Sequence, residues 1–256
     1  MKRPLISQQQ IAQSVTGVSA EEIDAHFNLL PDRYFAQTDE SDVALHLAMV
    51  NRLLHTISGA DSVGSLRPVI EWREVPERGH SVAHVVTWDR AGLFHKLAGA
   101  LSVAGCNILS ARITTRNDHI AIDSFEVESP GEASREIFAK TVEDALVANR
   151  DLAPAIAARA LQFAGAPSSH PPAVDLYVEI NSPRVILEMH VPDRFGLLYR
   201  VGRLIAEAGF SLAAARVQTE RGLAIDRFHL EAPDAALVEG TKLNALREAL
   251  LVASVR

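Results

Sequence analysis

Apolar residues in the first sixty positions recur at helical spacing. Ser7 to Val15 reads as a short helix stopped at Thr16-Gly17. Ser19-Ala20-Glu21-Glu22 has the form of a capping box, in which the hydroxyl and Glu22 satisfy end amides reciprocally. Ile23, Phe27 and Leu30 then share a helical face until Pro31, which stops it. Asp39 to Asp42 opens a further helix, with Val43, Leu47, Val50 and Leu54 in one stripe. From Val69 the pattern shortens to that of strands. Val69 to Trp72 and Ser81 to Trp88 predict two strands around a turn at Pro76 to Gly79. Leu93, Leu97, Leu101 and Ala104 predict a helix closed by Gly105 in the C-cap role. Ile108 to Thr115 and Ile120 to Val127 predict a hairpin turned by Asn117-Asp118, with helices over Glu132 to Asn149 and Leu152 to Phe163.

The order then repeats. Strands are expected over Val174 to Ile180 and Val185 to Val191, joined at Ser182-Pro183. A helix follows over Leu197 to Ala208, strands over Leu212 to Thr219 and Leu223 to Leu230, and a last helix over Leu237 to Val252. The residues repeat as well as the pattern. Asp89-Arg90-Ala91-Gly92-Leu93 returns 104 residues on as Asp193-Arg194-Phe195-Gly196-Leu197. Gly105-Cys106-Asn107-Ile108 returns as Gly209-Phe210-Ser211-Leu212, and Arg112 and Thr115 return as Arg216 and Thr219. After a one-residue deletion, Asp123, Phe125 and Glu128 meet Asp226, Phe228 and Glu231. A repeat of this length is two copies of one supersecondary unit.

Each unit reads ββαββα. A ferredoxin-like βαββαβ unit needs a last strand after its second helix, and here the leading strand of the hairpin can take that place. The fold class is therefore α+β: two ferredoxin-like units in tandem, each with an antiparallel sheet, preceded by a small helical segment. The expected domains are 1–64 (helical), 65–164 (first repeat with an extra helix), 165–172 (linker, Gly165 to Pro172) and 173–256 (second repeat). Helices cover one face of each sheet, so the other face is solvated or packed. The two sheets are expected to pair edge to edge or to pack on each other.

Composition narrows the function. A net charge of −7 with scattered basic residues argues against nucleic acid as a partner. One cysteine, Cys106, fits a reducing compartment and excludes an internal disulfide. No apolar run approaches the roughly 20 residues of a membrane span, and Met1-Lys2-Arg3-Pro4 lacks a signal peptide's apolar stretch. A cytoplasmic location without membrane attachment is expected. His80 and His84 are four apart, good spacing for a metal on a helix, but on a strand they lie about 13 Å apart. No metal, cofactor or catalytic residue is expected.

The strand, the Asp-Arg-x-Gly-Leu turn, the helix and the following Gly-x-Asn-Ile resemble the ACT domain, a small regulatory module. Both copies match. The arrangement looks most like the C-terminal regulatory region of the bifunctional uridylyltransferase/uridylyl-removing enzymes that modify the PII nitrogen-signalling protein. Leu30-Pro31-Asp32-Arg33-Tyr34 resembles a stretch of their preceding helical segment, and His46 falls in the next helix. Their catalytic parts have no counterpart here: the chain has no His-Asp dipeptide and no Gly-Ser turn with paired aspartates. The resemblance implies a regulatory piece, either free-standing or part of a larger enzyme, with a homodimer as its form.

It also implies an amino-acid ligand, glutamine first. The assigned residues are Asp89, Arg90, Ala91, Gly92, Leu93, Asn107 and Ile108 in the first copy. In the second they are Asp193, Arg194, Phe195, Gly196, Leu197 and Ser211. The chemistry is suitable: a helix N-terminus presents unpaired amides to a carboxylate, and Asp89 or Asp193 can receive an ammonium. Ser211 makes fewer hydrogen bonds than Asn107. Simpler readings compete. Asp89 and Asp193 can serve only as helix caps. Asn107 can be a turn-tolerant residue, Arg112 and Arg216 paired surface charges, Asp123 and Asp226 buried hydrogen-bonding groups, and Trp72 and Trp88 packing residues. The functional expectation is a non-catalytic sensor that transmits ligand binding by conformational or oligomeric change, with a nitrogen-signalling protein as partner. The alternative is a ligand-free interaction or transcription-regulatory module; tandem ACT domains also occur in a regulator of glycine cleavage genes.

Overall fold

The computed structural model describes residues 6–59, 66–128, 130–162, 171–180 and 184–255. The loop at 61–65, the linker from Gly165 up to His170 and the Ser182-Pro183 turn lie outside them. Four helices come first: α1 (Gln8–Ser14), α2 (Ala20–Leu29), α3 (Asp32–Gln37) and α4 (Glu40–Gly59). The first repeat follows as β1 (Val69–Val75), β2 (His80–Trp88), α5 (Leu93–Ala104), β3 (Ile108–Thr115), β4 (Ile120–Glu128), α6 (Glu132–Leu146) and α7 (Ala153–Ala160). The second is β5 (Ala173–Val178), β6 (Arg184–Pro192), α8 (Leu197–Glu207), β7 (Ser211–Arg216), β8 (Thr219–Glu220), β9 (Leu223–Glu231) and α9 (Gly240–Val255).

The fold is α+β, with two antiparallel sheets of ACT-like order. The first runs β1-β2-β4-β3 and the second β5-β6-β9-β7, with β8 on β9. In each, the leading strand lies beside the next one, in the place a ferredoxin-like unit gives to its last strand. β5 meets β6 in register from Ala173 opposite His190 to Val178 opposite Val185. Along the second sheet Val185, Leu187, Met189 and Val191 are buried beside Phe228 and Leu230, and the alternate positions turn outward. The strand expected to run unbroken to Thr219 is interrupted. A register shift between Leu212 and Ala214 lies within β7, which pairs with β9 as far as Arg216, and ladder pairing resumes at β8.

The chain divides into two compact units. One holds the chain up to Trp72 with His84–Asp89 and Thr114–Asp123. There the capping box of α2 is formed: Glu22 N–H donates to Ser19 Oγ at 3.2 Å, and Ser19 N–H to the Glu22 carboxylate at 2.8 Å. Pro31 ends α2 and also leads into α3, a helix of six residues, too short to show an apolar stripe in sequence. Ile11, Ile23, Leu30, Tyr34, Val43, Leu47, Met49, Val50 and Leu53 share a core with Val86, Ile120 and Ile122 of the strands. Each such side chain, fully buried, contributes about 1.5–3 kcal/mol. A polar chain crosses this core. Tyr34 Oη lies 2.8 Å from His46 Nδ1, and His46 Nε2 lies 2.8 Å from His84 Nδ1. His84 therefore belongs to a buried hydrogen-bonded chain.

The other unit holds Arg73–Ala83, Arg90–Ile113 and the chain from Ser124 on. Its centre is α5, buried from Leu93 through Leu101 except His95 and Lys96. A helix apolar nearly all round needs cover on every side. α6, α7 and α8 pack against it, and Phe94 also stacks on Phe125 of β4. The α5–α8 contact is close because two glycines admit aromatic rings. A Cβ on Gly99 would stand 2.7 Å from the Tyr199 ring, and one on Gly202 2.7 Å from the Phe94 ring. The repeats thus meet through α5 and α8, and among the described residues the strands form two separate sheets, so the edge-to-edge alternative expected from sequence is not realised.

Candidate ligand-binding site

At the end of β6 the chain turns sharply into α8. Asp193 N–H donates to Gly222 O at 2.9 Å, which anchors the turn to the sheet. The Asp193 carboxylate accepts from Thr219 Oγ at 3.0 Å. The helix N-cap is Gly196, in the left-handed conformation with φ 72°, and no side chain caps it. The first copy repeats the design: Asp89 N–H donates to His119 O at 2.7 Å, its carboxylate accepts from Thr115 Oγ at 3.3 Å, and Gly92 is the N-cap with φ 75°. The N-cap positions belong to Gly92 and Gly196 and not to the aspartates. Each aspartate is tied to the threonine that recurs with it. The glycines answer first to backbone geometry. L side chains avoid this region, and a Cβ on Gly196 would also stand 2.8 Å from an Ile156 methyl.

Beside the second turn lies a cavity of ≈ 390 Å³. That is enough for a small metabolite. One wall comes from the first repeat: Ser102, Gly105, Cys106, Asn107 and Ile108, with Glu128 from β4. The other comes from the second: the turn from Asp193 to Leu198, with Val217, Thr219, Ala224 and Asp226 beneath it. Asn107 and Ile108, expected to serve the turn of their own copy, here face the turn of the other. Asp193, Arg194, Phe195, Gly196 and Leu197 line the cavity together. Ser211 is not part of it; it is exposed and sits opposite Glu231 on the sheet. Arg90, Ala91, Gly92 and Leu93 are likewise not in this lining. Arg90 donates to the Leu146 carbonyl at the end of α6 at 2.7 Å, and Lys96 to the neighbouring Ala145 carbonyl at 3.2 Å.

The cavity carries both signs of charge. Asp226 is 4% exposed. Its Oδ1 accepts from Gln218 N–H at 3.2 Å, while its Oδ2 has no hydrogen-bond partner among the described residues. Burial pushes its pKa up to about 7; the Gln218 N–H works against that rise and the Asp193 charge adds to it. Asn107 Nδ2 donates to Glu128 Oε1 at 3.2 Å. Arg194 lines the wall with its Nε buried and unpartnered among the described residues. Burial raises the Cys106 thiol to about 11, so it stays protonated near neutral pH. Arg112 pairs with Glu126 at 3.2 Å, the surface-charge reading. Among the described residues no three histidine, cysteine or carboxylate groups gather as metal ligands. The arrangement offers amides and a guanidinium to a carboxylate, and carboxyl groups to a cation.

Residues 185–247 match the family described as the ACT domain. The second repeat is an ACT domain. The first repeat has the same strand order and the same turn, so the ACT fold occurs here in tandem. The chain is 29% identical over 259 residues to the bifunctional uridylyltransferase/uridylyl-removing enzyme of Rhodospirillum rubrum, covering 97% of this chain and 27% of that protein. The same-named protein of Novosphingobium aromaticivorans is 30% identical over 208 residues, 78% of this chain and 22% of its own. The one from Erythrobacter litoralis is 28% identical over 258 residues, 97% and 27%. The chain spans about a quarter of the length of these curated relatives. A crystal structure provisionally described as a glycine cleavage system transcriptional repressor overlaps 68% of this chain and 91% of its own, at 18% identity and TM-score 0.25, a likeness too slight to bear on function.

Asp226, Glu128 and Thr219 were outside the residues assigned from sequence. The signal for Asp226 was present. Ala224, Asp226, Phe228 and Leu230 alternate on β9, so an aspartate had to share the buried face with Phe228.

Proposed function

We propose that the chain is a non-catalytic regulatory sensor that binds a small amino acid, with glutamine the first ligand to test. The cavity between Asn107 of the first ACT fold and the Asp193 turn of the second carries this reading. It offers a helix end and Arg194 to the ligand carboxylate and Asp193 to the ammonium. The ligand-contacting residues in this proposal are Asn107, Ile108 and Asp193 through Leu197; Asp89 through Leu93 and Ser211 belong to a second, weaker site related by the repeat. A ligand touching both ACT folds favours one relative placement of them, and that differential affinity is the signal. The downstream element is a nitrogen-signalling protein or the partner protomer of a homodimer. Uridylyl transfer and removal stay with the relatives whose name carries them. The location proposed is the cytoplasm; among the described residues no helix is long and apolar enough to cross a membrane.

Calorimetric titration with glutamine and then the other amino acids tests the reading. Saturable heat with the wild-type chain, lost in the Asp89→Ala, Asp193→Ala double variant, is the expected result. No heat with any amino acid would overturn it. A second reading, docking of a protein without a small ligand, draws on Tyr177, Val178 and Ile180, exposed at 51%, 45% and 90% on and just after the edge strand β5.

A further inference from the structure

The aspartate that recurs before a phenylalanine, Asp226 in Asp-Arg-Phe, has no part in the turn and no part in the reading above. Its position calls for a reason. A carboxyl group with 4% of its surface exposed, one oxygen bonded to a backbone amide and the other unpartnered among the described residues, is costly to keep. A packed apolar residue would serve the sheet better. The same side chain lines a cavity that also takes Asp193, whose carboxylate is held toward the sheet by Thr219.

We propose that Asp226 and Asp193 together form a two-carboxyl seat for the ammonium group of the bound ligand, with Asp226 supplying the buried half. This rests on the reading of the cavity as an amino-acid site, and it names what the site recognises: a primary ammonium, held from the floor as well as from the rim. The two carboxyl groups are close enough that the charge of Asp193 opposes ionisation of Asp226. Burial acts in the same direction and is the larger cause, so near pH 7 Asp226 holds a proton part of the time. The arriving ammonium replaces that proton, which leaves to solvent, and the buried carboxylate gains a charged partner. The other titratable or charged groups around the cavity are Arg194 on the turn, Glu128 on β4, already bonded to Asn107, and the Cys106 thiol.

The test uses the full chain, the near-isosteric variant Asp226→Asn, and two probes: L-glutamine, and glutaramate, which is glutamine without its α-amino group. Calorimetry at pH 7 in two buffers of different ionisation enthalpy reads affinity and proton release together. The expected result is that Asp226→Asn weakens glutamine at least tenfold, leaves glutaramate unchanged, and removes the proton released when glutamine binds. Equal weakening of both probes would show a merely structural role and overturn the proposal. Undiminished glutamine binding by the variant would overturn it too, while the sensor reading stood. A wild-type chain that binds no amino acid would remove the sensor reading, and this seat with it. A thermal melt of Asp226→Asn within a few degrees of the wild type secures the comparison.

Discussion

The same turn occurs twice in this chain and is put to two uses. In the second copy Asp193-Arg194-Phe195-Gly196 borders a cavity, and Arg194 has a buried nitrogen without a partner among the described residues. In the first copy Arg90 and Lys96 reach the last carbonyls of α6, so the basic groups secure the helix that packs on α5. The equivalent of Lys96 is Arg200. It too bonds a carbonyl of its last helix, Ala253 O at 3.4 Å, as well as Phe195 O at 2.9 Å. The lysine–arginine position is thus structural in both copies. The copies part at the motif arginine. Arg90 bonds the end of a helix, whereas Arg194 lines the cavity.

The largest expected difference is in ligand affinity. Asp193→Ala should weaken glutamine about 10- to 100-fold, the loss of one charge-assisted hydrogen bond at a half-buried carboxylate, while Asp89→Ala changes it less than about twofold. Calorimetry on the two single variants measures this, and equal losses would erase the distinction between the copies. Stability should show the reverse. Arg90→Ala should cost about 1–2 kcal/mol by denaturant unfolding, since a half-buried charged donor to a helix-end carbonyl is lost. Arg194→Ala should cost under about 0.5 kcal/mol.

Acidity, by contrast, is shared by the two copies. Burial first, then the charge of Asp89, pushes Asp123 well above the usual carboxylate range, against the pull of the Thr114 N–H. Asp226 rises in the same direction, to about 7. A raised carboxylate means that the folded chain binds more protons than the unfolded chain once pH exceeds the unfolded value near 4. The contribution to stability therefore falls as pH climbs from there through the folded value. His26 works in the opposite sense. Burial, with Arg116 beside it, lowers its pKa to about 3, so its share of stability is lost as pH falls below 6.5. Substitution isolates the effect: Asp123→Asn should raise the melting temperature more at pH 8 than at pH 5, and Asp226→Asn should do the same. A pH-independent shift would refute the assignment. The smallest effect is at Asn107. Asn107→Ala should weaken glutamine about threefold, and Ser211→Ala should leave it unchanged by the same titration.

Much of this fold could be read before the structure was known, because its signals are local. The capping box at Ser19, the helix stops and the ββαββα order depend on spacing within one element or its neighbour. α3 was hidden because Pro31 looks like an end, and six residues show no stripe. The repeats meet through α5 and α8, which strand patterns alone do not encode. The clue lay in Leu93, Phe94, Leu97, Ala98, Ala100 and Leu101, an apolar surface too wide for one covering layer. The site was half legible for the same reason. Motif residues identify the turn, but which turn Asn107 faces depends on how α5 and α8 cross, and no spacing within a single repeat encodes that.

That crossing has a consequence for how the chain can be cut. Phe94 sits over Gly202 and Tyr199 over Gly99, so each helix completes its neighbour's surface with a ring of its own. A fragment ending after α7 would present Phe94 and the small-residue face of α5 to water, and a fragment starting at β5 would do the same with Tyr199. Neither half is expected to fold alone. The two repeats should melt in a single cooperative transition, and proteases should find no cleavage between them that leaves both products native.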